Sequence, residues 1–77
     1  MNSFDKLDKL EENLSKRMGF DDDDVDSYVY CCFIEGKISV RKVVNGEDSD
    51  PVEVLFNDSW TLEDWKTFRD RCLQELR

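Results

Sequence analysis

Apolar residues at Phe4, Leu7, Leu10, Leu14 and Met18 recur every three or four positions, the period of an amphipathic helix with one buried stripe. Ser3 can cap the start of this helix and Gly19 its end. The period then changes, and Phe20 to Asp26 reads as a loop carrying five aspartates. Tyr28 to Ile34 is a run of aromatic, β-branched and thiol side chains that reads as a strand, and Glu35-Gly36 follows as a tight turn. A two-residue hairpin loop there would set Phe33 opposite Ile38, Cys31 opposite Val40 and Val29 opposite Lys42, making one side of the sheet nearly all apolar. The other side would carry Tyr28, Tyr30, Cys32 and Ile34 with Val43, Arg41, Ser39 and Lys37.

Asn45 to Pro51 contains Asn-Gly, three acids and the only proline, and reads as a loop leading to a third strand over 52–56. Val52, Val54 and Phe56 alternate onto one face of that strand. The last element has the strongest local signal. Thr61 stands three residues before Asp64, and Trp60 and Trp65 take the two positions of a hydrophobic staple, so a helix begins there. Leu62, Trp65, Phe68, Cys72 and Leu76 form its buried stripe with Leu73 beside it, while Glu63 and Asp64 near the start and Arg71 and Arg77 near the end suit its dipole. The expectation is a single α+β domain over residues 1–77 in the order α-β-β-β-α. Two helices would cover one face of a three-stranded antiparallel sheet.

Charge adds a location to this outline. The net charge is −8, a balance that favours a basic partner over direct contact with nucleic acid or an anionic membrane. By segment it is 0 for residues 1–19, −5 for 20–27, +2 for 28–44, −5 for 45–58 and 0 for 59–77. The excess therefore sits in two stretches between balanced helices. An antiparallel hairpin would bring Asp21, Asp22, Asp23, Asp24 and Asp26 beside Glu47, Asp48 and Asp50. Two such charges about 7 Å apart repel by roughly 0.6 kcal/mol in water before screening, so a shared rim of carboxylates has a cost. If the first stretch is extended, Asp22, Asp24 and Asp26 lie about 6.6 Å apart on one side, near the charge spacing of a nucleic-acid strand. The bland alternative is a pair of solvated loops that keep the chain soluble.

Other chemistry finds little support. There is no histidine, which removes His-based triads and His-containing zinc sites, and no Walker A, G-x-S-x-G or dinucleotide signature is present. Exposed carboxylates without an apolar cleft do not separate into acid and base, so the expectation is no enzyme and no cofactor. Read as an EF-hand from Asp21, the loop has Val25 at the fifth position, Asp26 in place of glycine at the sixth and Cys32 in place of glutamate at the twelfth. No metal site is expected. Cys31, Cys32 and Cys72 suggest free thiols in a reducing compartment, and the acidic N-terminus is unlike a leader, so the cytoplasm is the expected location.

The mixed sheet face has two readings. Tyr28, Tyr30, Cys32, Ile34, Arg41 and Val43 can form an ordinary part-exposed surface, or a homodimer interface that adds buried area to a short chain.

The element order is similar to that of double-stranded-RNA-binding domains, whose two helices cover one face of a three-stranded sheet. That family presents lysines to RNA at the start of its second helix, where this chain has Glu63 and Asp64. In size and acidity the chain also looks like the small inhibitors that bacteriophages direct against host DNA-binding proteins. That resemblance implies a nucleic-acid charge mimic of phage or mobile-element type. It would act in the host cytoplasm, its partner being a basic DNA-binding host protein met by Asp21–Asp26, Glu47, Asp48 and Asp50. The competing expectation is an antitoxin or immunity-type protein that neutralises a basic toxin through shape-specific contacts at Tyr28, Tyr30 or the tryptophans.

Overall fold

The computed structural model describes residues 3–21 and 23–77, with side chains from Asp5 onward. The Ser3 cap, the Phe4 contact and the Asp22 carboxylate lie outside the described residues and side chains. The elements are α1 (Ser3–Arg17), β1 (Tyr28–Ile34), β2 (Lys37–Val44), β3 (Glu47–Asp48), β4 (Val52–Leu55) and α2 (Leu62–Leu76). The fold is a small α+β domain with both helices packed on one face of an antiparallel sheet. Among the described residues no helix is long and apolar enough to cross a membrane.

The stripe of α1 buries Leu7, Leu10 and Leu14, with Met18 packed at its end. Gly19 takes φ 83°, a left-handed conformation that glycine adopts without a Cβ clash. There the Gly19 amide donates to Lys16 O and the Phe20 amide to Ser15 O, both at 3.0 Å. These are the two reverse hydrogen bonds of a Schellman stop, and Phe20, the residue after the turn, packs on the core as that motif favours.

The first hairpin has the register read from the sequence, including Val29 opposite Lys42, Cys31 opposite Val40 and Phe33 opposite Ile38. Glu35 and Gly36 both have positive φ, 52° and 77°, as a type I′ turn requires. Val29, Ile38, Val40 and Val52 form the sheet side of the core, facing Leu7, Leu10 and Leu14 of α1 and Trp65, Phe68, Cys72 and Leu76 of α2.

The stretch expected as a loop between two strands is instead partly paired. Asn45 and Gly46 form a second turn with φ 54° and 82°, which returns the chain onto β2 as β3, with Val44 opposite Glu47 and Val43 opposite Asp48. The Asn-Gly pair dictates this through its tolerance of left-handed φ at both central positions, and the acidic composition obscured it. Beyond β3, residues 49–51 stand against only Arg41 and Lys42 before Val52 pairs with Val40. That extra residue is a β-bulge, held by Ser49 N–H to Lys42 O at 2.8 Å and Lys42 N–H to Ser49 Oγ at 3.0 Å. Pro51, which has no N–H, falls in the bulge, where none is needed for the ladder. β3 and β4 are thus two halves of one interrupted edge, and the sheet counts four strands where three were expected.

At α2 the start signal and most of the stripe hold: Trp65, Phe68, Cys72 and Leu76 are buried, whereas Leu62, expected among them, stands at the first position of the helix and is 67% exposed. Thr61 Oγ1 accepts the Asp64 amide at 3.3 Å, the Asp64 carboxylate accepts the Thr61 amide at 2.8 Å, and the rings of Trp60 and Trp65 meet edge to face at 5.0 Å. The far end differs. Arg71 lies a turn too early to serve the last carbonyls and pairs with Glu75 at 2.8 Å, so the last turn itself holds no base and Arg77, the C-cap residue, is the base at that end.

Candidate functional site

The acidic stretch after α1 is the loop read from the sequence, and it closes on itself as a turn at its start instead of running extended. The Asp24 amide donates to Asp21 O at 3.0 Å, and the Asp24 carboxylate accepts the Asp21 amide at 3.1 Å. Aspartate favours such closure because its short carboxylate reaches nearby backbone amides. Asp23 and Asp26 are exposed, and Val25 between them is 83% exposed.

The turn faces the flank of α1. Asp21 and Asp24 line a groove of about 470 Å³ together with Asp8, Glu11 and Glu12 of α1, and Ser15, Phe20, Ser27, Tyr28 and Val29 complete its lining. Five carboxylates therefore surround one depression. Three of them escaped the segment-by-segment charge count, because α1 is neutral along its length but not around its circumference. Asp8, Glu11, Glu12 and Ser15 follow one another at helical spacing on one side, and that spacing was the available signal. Lys16, at the end of α1, pairs with Glu12 at 3.2 Å.

The acidic side of α1 also touches the edge of the sheet. Residues 29 and 31 of β1 direct their amides away from β2, and α1 meets both. Ser15 Oγ accepts the Val29 amide at 3.1 Å and the Glu11 carboxylate accepts the Cys31 amide at 3.1 Å. Loss of hydration, the largest effect, raises the Glu11 pKa above the ordinary 4.5; the Cys31 hydrogen bond opposes the rise, and the charge of Asp8 adds to it. The opposite edge is guarded differently, by the bulge, Pro51 and the exposed acids Glu47, Asp48 and Glu53. With both edges occupied or charged, strand addition is a poor route for a partner, and recognition falls to side chains.

The second acidic stretch lies at the same end of the sheet. The Gly46 amide donates to Asp26 O at 3.2 Å, and Tyr28, Val43 and Asp48 stand side by side on three neighbouring strands. Glu47 and Asp48 line a concavity with Lys42. Asp50 is exposed, and Ser49 Oγ donates to its carbonyl at 3.2 Å. Asp21 and Asp24 thus share a groove with α1, Asp26 ties the two stretches together through backbone, and Glu47 and Asp48 occupy a neighbouring surface.

The sheet face away from the helices carries Tyr28, Tyr30, Cys32, Ile34, Arg41 and Val43 as read from the hairpin register, joined by Asp48, Glu53 and Leu55. Neither helix covers it. Ile34 is 51% and Leu55 70% exposed, whereas Val43 is buried on this face apart from the main core. The Tyr28 and Tyr30 rings lie 6.1 Å apart.

All three cysteines are free. Burial pushes the Cys72 thiol up to about 12 and raises Cys31 further, with Glu11 adding to the shift at Cys31. Thiols held that far from ionisation are poor nucleophiles and poor metal ligands. Among the described residues no group of three Cys, Asp or Glu side chains is arranged to hold a metal ion.

Comparison with protein-family models, with curated proteins and with solved structures finds no significant match for this chain.

Proposed function

We propose that this protein binds the basic, nucleic-acid-contacting surface of a DNA-binding protein and keeps DNA from it, as an inhibitor of phage or mobile-element type would. The observation that carries this reading is the convergence of Asp8, Glu11 and Glu12 with Asp21 and Asp24 around one groove, continued at the same sheet end by Asp26, Glu47 and Asp48. Lys and Arg side chains that neutralise phosphates respond to negative charge largely without regard to base sequence. A folded surface of carboxylates offers them the same charge on a rigid support.

The experiment is competition. A basic DNA-binding protein captured by this chain should release DNA as the chain is added, and its affinity should fall roughly tenfold or more between about 50 and 200 mM salt. Replacing Asp21, Asp24 and Glu12 by their amides should weaken capture while leaving the fold intact. Affinity that ignores salt, or capture that leaves DNA bound, counts against the reading.

The uncovered sheet face favours a second reading, an antitoxin or immunity-type protein whose energy is concentrated in Tyr28, Tyr30, Ile34 and Leu55. Under it, alanine at Tyr28 or Tyr30 would abolish capture and the amide replacements would not. The same face is where we propose that a second copy would pair. Sedimentation over a range of concentrations decides this, and a monomer throughout would remove the dimer.

A further inference from the structure

On the side of α1 away from the acids, the molecule has a surface of opposite character. Lys6 and Lys9 of α1 and Lys66 and Arg69 of α2 stand around a groove of about 300 Å³ between the helices, floored by Leu10 and Trp65. Leu62, 67% exposed, forms one wall. Each helix contributes residues three, four and seven positions apart, so the two stripes face each other across the groove. The lining is apolar below and cationic above. Lys6 Nζ lies 5.8 Å from the centre of the Trp65 ring, within the range of a cation–π contact that holds the ammonium over the groove. Arg69 leans on its neighbour Asp70 at 2.9 Å, whereas Lys6 and Lys66 have no carboxylate partner among the described residues.

We infer that this groove binds small amphiphilic anions, specifically linear aliphatic carboxylates. The headgroup would meet the lysines and the tail would lie along Leu10, Leu62 and Trp65. The volume is at the lower end of the range of about 300 to 1,000 Å³ typical of small-molecule sites, which suits one chain and not a larger ring system. The sign of the ligand separates this site from general stickiness. A protein of net charge −8 attracts cationic amphiphiles at long range, so a preference for the anion must come from the local lysines.

The test titrates the whole chain with decanoate, decyltrimethylammonium and decanol, each below its micelle concentration, followed by amide and indole NMR shifts. Decanoate is expected to move Leu62, Lys66 and the Trp65 indole, binding about tenfold tighter than decyltrimethylammonium. Within a series of shorter carboxylates, each added methylene is expected to tighten binding by up to about fourfold. Lys66→Glu and Leu62→Ser, both at exposed positions, are expected to weaken decanoate several-fold with the NMR spectrum otherwise unchanged. Binding of the cation at the same residues with equal or greater affinity would overturn the inference. Decanoate shifts confined to the open sheet face, or affinity indifferent to Lys66→Glu, would do so too.

Discussion

Glu11 does two things that pull against each other. Its carboxylate satisfies an edge amide of β1, and it stands in a groove with Asp8, Glu12, Asp21 and Asp24 where ionisation is disfavoured. Its folded pKa lies above the unfolded one, so its protonated form favours the fold. That contribution is fully present below the ordinary 4.5 and is lost as pH rises through the raised folded value. Glu11→Gln keeps an acceptor for the Cys31 amide without the charge. Urea melts between about pH 4 and 7 should show a flatter stability profile for Glu11→Gln and at least wild-type stability at neutral pH. Glu11→Ala, which leaves the amide without its partner, should be the less stable of the two variants. At Thr61 the cap is simpler, and Thr61→Ala should cost about 1 kcal/mol in the same assay.

Among the elements, those governed by local rules were legible. The stripes of α1 and α2, the Thr61–Asp64 box, the tryptophan staple and the register across Glu35-Gly36 each depend on residues a few positions apart. The third strand was legible only in its second half. β3 is two residues long and acidic on both, and it exists because the Asn45-Gly46 turn delivers it to β2. Gly46→Ala places a Cβ at φ 82°, where space is open but the backbone conformation is costly. A loss of about 1 to 2 kcal/mol is expected, together with faster hydrogen exchange at the amides of residues 47–49. An unchanged exchange pattern would mean that β3 holds without its turn. The acidic stretch was legible as a loop, but its internal closure was not. Alternating aspartates allow an extended strand, but the Asp24 carboxylate turned back onto the Asp21 amide, a choice invisible to composition.

Across the whole molecule, charge is sorted by direction. Carboxylates gather on the β1 side of α1 and at one end of the sheet, lysines and an arginine gather between the helices, and aromatic rings of Phe33, Phe56, Trp60, Trp65 and Phe68 form a connected cluster on the core side. Like charges packed around one groove should make the fold salt-sensitive. Moderate NaCl is expected to raise the melting temperature by screening their repulsion, and a fall would indicate that the exposed ion pairs outweigh it. By itself the sequence determined both helices, the strands β1, β2 and β4, which faces are apolar and how the first hairpin pairs, because these follow from backbone periods and turn sterics. It also placed two acidic stretches at one sheet end. Only the tertiary structure decided that Asp8, Glu11 and Glu12 of α1 join that surface while Lys6 and Lys9 face α2, and that Ser15 and Glu11 close the sheet edge. A helix shows the same residues in any orientation, and it is docking onto the core, through Leu7, Leu10 and Leu14, that assigns each flank its neighbours.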